Sequence, residues 1–268
     1  MPKRFARKPR PVSRSKKPGW EPVADWYVGY MGKEGGGYQR DIVFPGAERL
    51  LHPKKDGTYL DIACGQGAFA KQLSKKAGKV FGFDVSPSLI AAAKEGAPRN
   101  LELRIADATR FASHYSPASF DGAVCNLAIQ NIHPIEPVFA EAARVLKPGA
   151  TLVITMNHPA YRQPRQSGWG WDEERKLQYR RVDKYMSEYE MPIIAHPGSA
   201  PNVKTYSYHR PLSSYVNALA KHGFVIDALE EWVSNKISDS GPKAKAENIA
   251  RNEIPLFLAI RARKSGRI

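Results

Sequence analysis

The feature that most constrains the fold is the stretch YLDIACGQGAFAKQ at residues 59–72. It predicts a buried strand that carries an acid, Asp61, then a glycine turn and the start of a helix. Gly65 and Gly67, on either side of Gln66, tolerate backbone angles that a side chain disfavours, and they let a ligand approach the main chain closely. The stretch therefore predicts a nucleotide-type cofactor site. It also fits the loose GxGxxG/A dinucleotide pattern, so a dehydrogenase stays an alternative at this point.

Further acids follow the next predicted strands. The run KVFGFD ends in Asp84, 23 residues after Asp61. A carboxylate there can accept both ribose hydroxyls, of NAD as well as of S-adenosylmethionine (AdoMet). A third strand, LELRI, precedes Asp107, which can accept an adenine amino group, and a fourth strand ends at Asn126. A helix at 135–146 and a strand ATLVITM follow, so strands and helices alternate as in α/β proteins.

With these acids and the sequence LKPGATLVIT, residues 40–264 resemble the class I AdoMet-dependent methyltransferases. Within them the chain resembles the small-molecule group that includes the ubiquinone and menaquinone pathway enzymes. The resemblance implies an α/β, Rossmann-like sheet of seven strands, with helices on both faces and the last strand antiparallel. The family often has glycine two places after the first acid, where this chain has Ala63; the difference is mild because alanine is also small. The implied AdoMet-binding residues are Asp61, Gly65, Gln66, Gly67, Asp84, Asp107, Ala108, Asn126 and Leu127.

The chemistry that the resemblance implies needs no metal. AdoMet carries a reactive methyl group, so the protein mainly has to align donor and acceptor and keep water out. The seven histidines show no HxxxH or HExxH spacing and the two cysteines form no CxxC pair, so we expect no metal site. We predict transfer to a small organic acceptor at oxygen, nitrogen or carbon.

The chain is too long for a minimal domain of this kind. We expect residues 51–156 and 211–264 to form the AdoMet-binding domain, with 157–210 as an inserted, substrate-covering subdomain, because about fifty residues exceed an ordinary connection. The stretch RQPRQSGWGWDEERKLQYRRVDKYM is predicted to turn helical, and MPIIAHPG and VKTYSYHRP read as two short strands. Aromatic and basic residues of the first stretch could line an acceptor pocket or form a dimer contact: Trp169, Trp171, Tyr179, Arg180 and Arg181.

An aromatic segment precedes the predicted domain. We predict that residues 19–50 form a cap with Tyr38 and Gln39 near AdoMet, and the alternative is one amphipathic helix packed on the domain. Two histidines are candidate catalytic bases: His158 directly after the fifth strand, and His209 where the insertion returns to the domain. The alternative for each is a histidine that fixes a loop through backbone hydrogen bonds.

Charge is concentrated at the N-terminus. Residues 1–18 hold eight of the Lys and Arg residues and no acid, in a chain of formal net charge +15, and we predict a disordered basic tail. An RNA- or protein-directed methyltransferase docking through this tail is the runner-up, not favoured because the tail lacks interleaved aromatics. A non-catalytic AdoMet-binding subunit is the third hypothesis. No apolar run approaches the roughly 18 residues of a membrane span, and we expect a cytoplasmic monomer or homodimer.

Overall fold

The computed structural model describes residues 19–32, 34–196 and 200–266, so the predicted basic tail lies outside the described residues. Seven strands form one sheet in the order β10-β11-β5-β4-β1-β2-β3, and four more form two hairpins. The strands are β1 (Thr58–Ile62), β2 (Lys79–Asp84), β3 (Leu101–Ile105), β4 (Phe120–Asn126), β5 (Leu146–Asn157), β6 (Ser167–Asp172), β7 (Leu177–Val182), β8 (Tyr189–His196), β9 (Ala200–His209), β10 (Phe224–Trp232) and β11 (Phe257–Lys264).

Helices cover both faces of the sheet. They are α1 (Ala24–Met31), α2 (Phe44–Leu51), α3 (Ala68–Leu73), α4 (Pro87–Lys94), α5 (Glu136–Val145), α6 (Leu212–Lys221) and α7 (Ala244–Glu253), and a π-helical turn (Gln39–Val43) leads into α2. One apolar core joins α5 and α6 to the sheet, and a second joins α2 and α3 to it. Because both faces are covered, the central strands are almost continuously buried, as is usual for parallel sheets. No helix among the described residues is long and apolar enough to cross a membrane.

The sheet is parallel except at its last strand. β1 pairs with β2 and β4, and β4 pairs with β5, all in parallel. β11 lies antiparallel between β5 and β10, with Ile260 opposite Ile154 on one side and Leu229 on the other. The predicted Rossmann-like sheet of seven strands, with an antiparallel last strand, is therefore confirmed.

The insertion after β5 consists of two hairpins. β8 and β9 pair antiparallel as the two short strands expected there. The stretch before β8 was predicted to become helical, and this prediction was wrong. SGWGWD and LQYRRV form the hairpin β6–β7 instead, with Ser167 opposite Val182. The physical reason is the period of the sequence: small and aromatic residues alternate in β6, and Gly170 makes room for the ring of Tyr179 across the hairpin.

Candidate active site

A cavity of about 570 Å³ opens at the carboxyl ends of β1, β2 and β4, where ligands bind in open α/β sheets. The strand order reverses between β1 and β4, because β2 and β3 lie to one side of β1 and β4 and β5 to the other. Of the predicted site residues, the structure brings the following to the cavity wall: Asp61, Gly65, Gln66, Asp84, Asp107, Ala108, Asn126, Leu127, His158 and His209. Gly67 and Tyr38 do not line the cavity.

The glycine turn between β1 and α3 forms the floor of the cavity. Gly65 has φ +56° and its N–H donates to Asp84 Oδ2 at 3.0 Å, which ties the turn to the end of β2. Gly67 has φ +74° and lies so near α4 that a Cβ would be 3.0 Å from the Cβ of Ala93. Ala63 also has a left-handed φ, +54°, which explains why glycine is favoured at this position.

Two buried carboxylates lie beside this turn. Asp84 is 7% exposed, and its Oδ1 accepts from the N–H of Ser86 at 3.0 Å. Burial raises the pKa of Asp84 above its ordinary value, against the effect of its backbone hydrogen bonds. Asp61 is 2% exposed and its Oδ2 has no hydrogen-bond partner among the described residues. Burial and the nearby charge of Asp84 raise the pKa of Asp61 to about 8, so the cofactor-free carboxyl is protonated near pH 7 and a cationic ligand beside it would favour the ionised form.

The far walls of the cavity carry the other two predicted polar positions. Asp107 Oδ1 accepts from both the N–H and the Oγ1 of Thr109, at 2.9 and 2.8 Å, which holds the carboxylate at the end of β3. Asn126 Oδ1 accepts from Thr155 Oγ1 at 3.0 Å, whereas its Nδ2 is buried without a partner. Leu127 has φ +50° and its N–H donates to the Thr155 carbonyl at 2.9 Å. The Asn126 amide therefore offers a free donor at the end of β4.

The cap contributes Tyr27 to the cavity. A Cβ placed on Gly65 would be 3.7 Å from the Tyr27 ring, and Gln39 Nε2 donates to the Tyr27 hydroxyl at 3.4 Å. Burial raises the pKa of the Tyr27 phenol. Gln66 Nε2 donates to the carbonyl of Gly32 and its Oε1 is buried without a partner, so the glycine turn also anchors the cap. Gln39 lines the cavity as predicted.

Tyr38 occupies a different place from the one predicted. Its hydroxyl shares a hydrogen bond of 3.0 Å with Ser234 Oγ, and its ring meets Phe257 edge to face at a centroid distance of 5.7 Å. It therefore packs the cap onto the sheet and does not reach the cavity. The sequence contained both tyrosines, but which of them faces the ligand depends on how the cap helices dock.

His158 does not have the geometry of a catalytic base. Its Nε2 contacts Glu231 Oε1 at 2.7 Å, and its Nδ1 accepts from the N–H of Ala160 at 3.1 Å and of Tyr161 at 3.4 Å. Both ring nitrogens are therefore engaged in holding the loop after β5. Burial lowers the pKa of His158, although Glu231 opposes this effect. The prediction of His158 as a base gives way to the loop-fixing alternative.

His209 has a hydrogen bond at one ring nitrogen, Nε2. Its Nε2 donates to the carbonyl of Tyr185 at 2.7 Å, which in the neutral tautomer leaves Nδ1 as the acceptor. The residue is 4% exposed and lines the cavity, and burial lowers its pKa, so the neutral form is favoured near pH 7. His209 can therefore accept a proton.

The residues that were expected to line an acceptor pocket or form a dimer contact lie away from the cavity. None of the five aromatic and basic residues named on the β6–β7 hairpin lines the cavity. Arg180 lies over the Trp169 ring at 4.9 Å, and Lys243 next to α7 lies over the Trp171 ring at 4.6 Å. The β8–β9 hairpin lines the cavity instead, and its alternating apolar and aromatic residues were the available signal: Met191, Ile193, Tyr206 and Tyr208.

The residues present fit AdoMet. Around the glycine turn stand buried polar atoms without partners, an acceptor on each of Asp61 and Gln66 and a donor on Asn126. Such atoms are costly unless a ligand completes their hydrogen bonds. Among the described residues, no group of three or more His, Cys, Asp or Glu could hold a metal ion.

Comparison with known proteins gives the same assignment. A family profile described as a methyltransferase domain matches residues 60–154. The demethylmenaquinone methyltransferase of Deinococcus radiodurans is 33% identical over 111 residues, which cover 40% of this chain and 45% of the relative. The chain thus spans about half the length, or less, of the curated relatives it matches. A crystal structure of an S-adenosylmethionine-dependent methyltransferase from Mesorhizobium loti superposes with a TM-score of 0.67 and 27% identity, over 87% of this chain and all of the other.

A structure of Haemonchus contortus phosphoethanolamine N-methyltransferase 2, in complex with S-adenosyl-L-methionine, shares the fold with a TM-score of 0.58 at 20% identity, over 90% of this chain and 56% of the other. The sheet, the site and these likenesses together define the class of fold: it is the fold of class I AdoMet-dependent methyltransferases, residues 60–154 match a methyltransferase domain, and AdoMet is the cofactor that the site fits. Among curated proteins, the chain is similar over part of its length to demethylmenaquinone methyltransferases.

Proposed function

We propose that this protein transfers the methyl group of AdoMet to a small organic acceptor. The observation that carries the proposal is the continuity of the cavity, which runs from the glycine turn and Asp84 to the β8–β9 hairpin and His209. Its volume of about 570 Å³ lies within the roughly 300–1,000 Å³ of small-molecule sites, and donor and acceptor have to share it. An acceptor of a few rings suits this space.

The proposed residue roles follow from the geometry around the cavity. Bound AdoMet supplies an electrophilic methyl group on its sulfonium. Asp84 would hold the ribose hydroxyls through the lone pairs that its two backbone hydrogen bonds leave free, and Asp107 with Ala108 would face the adenine. Asp61 and Asn126, with their unpartnered atoms, would bind the polar methionine part.

On the acceptor side, His209 is the proposed base. Its Nδ1 would take a proton from a hydroxyl or amine of the acceptor, while the Tyr185 carbonyl holds the ring through Nε2. Tyr27 and the anchor between Gln66 and Gly32 would keep water out of the cavity. The RNA- or protein-directed alternative is not favoured, because the lining of the cavity suits a small molecule.

The test is transfer of labelled methyl from AdoMet into a cell extract, with the label partitioned among RNA, protein and solvent-extractable compounds. We expect the label in the extractable fraction with the wild-type chain. His209→Asn is expected to lower the transfer rate at least about tenfold, and His114→Asn, which changes an exposed histidine outside the cavity, to leave it unchanged. Label in RNA or protein, or none at all, would contradict the proposal.

A further inference from the structure

The cavity holds a buried cation, Arg210, that no anion among the described residues neutralises. Arg210, between β9 and α6, is 3% exposed and lines the cavity. Its Nη2 donates to the carbonyl of Ile132 and to Nδ1 of His133, both at 2.9 Å. Its Nη1 is buried and has no hydrogen-bond partner in the described part of the chain. Among the ion pairs of the described residues, none includes Arg210.

A buried guanidinium without a counter-ion is unfavourable, because it has lost its hydration and gained no anion. The compensation that the described residues give comes from neutral groups. Arg210 lies near enough to the buried Tyr215 hydroxyl to oppose the effect of burial, which raises the pKa of Tyr215. The Tyr208 ring lies 5.5 Å from the guanidinium carbon of Arg210. Glu188 is near enough to influence the pKa of Tyr215, but its Oε1 accepts from Ser214 Oγ at 2.8 Å and it makes no ion pair with Arg210. A negative charge in the cavity would therefore be stabilised at Arg210.

Charge and shape divide the cavity into two halves. Asp61 and Asp84 lie at the glycine turn, which is the proposed AdoMet side, and Arg210 lies beside the aromatic rings of His133 and Tyr208. The rings of His133 and Tyr208 stack with their centroids 5.0 Å apart. Stacked rings and a guanidinium are suited to a planar molecule that carries one negative charge. A phosphate dianion would call for more donors than the unpartnered Nη1 of Arg210 supplies.

We infer that Arg210 binds the carboxylate of the methyl acceptor, so that the acceptor is a small aromatic acid. This inference rests on the proposed function, since it names the acceptor class of the same site. Arg210 is then a specificity-determining residue, and a neutral acceptor of the same shape would bind poorly because the buried Nη1 would stay unpaired.

The experiment uses the full chain loaded with S-adenosylhomocysteine. Matched pairs of small aromatic carboxylates and their carboxamides, such as 4-hydroxybenzoate and 4-hydroxybenzamide, are titrated by ligand-observed NMR. We expect the carboxylates to bind about 10- to 100-fold more tightly than the carboxamides. Arg210→Gln should abolish this preference while S-adenosylhomocysteine still binds. The control Arg180→Gln, on the β6–β7 hairpin, should keep the preference.

Three results would overturn the inference: carboxamides that bind as well as carboxylates, a preference that survives in Arg210→Gln, or a set in which no acid binds. If Arg210→Gln fails to fold, Arg210→Lys decides, because it keeps the positive charge and should retain part of the preference. Failure of the proposed function shows differently, as wild-type protein that does not bind S-adenosylhomocysteine or as label transferred to RNA or protein.

Discussion

Replacing Asp61 by asparagine is expected to stabilise the cofactor-free protein at alkaline pH and to weaken its binding of AdoMet. Asp61 is 2% exposed, its Oδ2 has no partner among the described residues, and its pKa is raised to about 8 by burial and by Asp84. In the unfolded chain the pKa of an aspartate is about 3.9. The folded protein therefore holds a proton that the unfolded chain has already released.

The sign and size of the effect follow from this difference in pKa. The contribution of protonated Asp61 to the free energy of unfolding is fully present below about pH 4. It is lost as the pH rises towards 8, because the unfolded state binds fewer protons than the folded state over that range. A pKa difference of one corresponds to about 1.4 kcal/mol, so ionised Asp61 costs on the order of 5 kcal/mol at pH 8 and above. Asparagine does not ionise, and its amide nitrogen can face Asp84. We expect Asp61→Asn to gain several kcal/mol at pH 8.5 and only about 1 kcal/mol at pH 4.5.

The assay is urea denaturation of both cofactor-free proteins at several pH values, with titration calorimetry of S-adenosylhomocysteine for binding. Asp227→Asn is a control of opposite sign. Burial would raise the pKa of Asp227, but hydrogen bonds from Arg261 and Arg263, at 2.7 and 2.6 Å, lower it. That variant should lose about 1 kcal/mol at pH 8.5 and less below pH 4. An Asp61→Asn protein no more stable than wild type at pH 8.5, or equally stabilised at both pH values, would refute the reasoning.

Three further results are expected. Asp84→Ala should weaken S-adenosylhomocysteine binding at least about 100-fold, since a charged acceptor of hydrogen bonds is lost, and exposed Asp239→Ala should not, so equal effects in calorimetry would contradict the site. His158→Asn should cost about 1–3 kcal/mol in urea denaturation through the loop after β5, and an unchanged midpoint would argue against its loop-fixing role. Tyr27→Ala should weaken cofactor binding about tenfold, whereas Tyr38→Phe should lose only about 1 kcal/mol of stability; the reverse pattern would restore Tyr38 to the site.

The cofactor half of the site could be predicted from the sequence because its signals are local. Each acid ends or directly follows a strand, and parallel strands bring their carboxyl ends to one edge of the sheet, so Asp61, Asp84 and Asp107 meet without further information. The glycine turn is local in the same sense. Left-handed φ angles at Gly65 and Gly67 are the conformations that glycine adopts most readily.

The acceptor half could not be predicted in this way. The β6–β7 hairpin has the more conspicuous aromatic and basic sequence, yet the β8–β9 hairpin lines the cavity. Likewise His158 and His209 have similar places in the sequence, and only their hydrogen-bond partners separate a loop-fixing residue from a candidate base. Those partners are distant in the chain or depend on loop geometry.

The sequence by itself determined the class of fold, the order of the seven strands along the chain and the strand-end positions that line the cavity, because strand period, glycine turns and strand-end acids act over a few residues. Only the tertiary structure decided that Tyr27 lines the cavity and Tyr38 does not, that the β8–β9 hairpin lines it, and that Arg210 is buried there without an ion pair among the described residues. These features depend on the docking of segments far apart in the chain, where burial and unpaired charge arise from packing and not from local pattern.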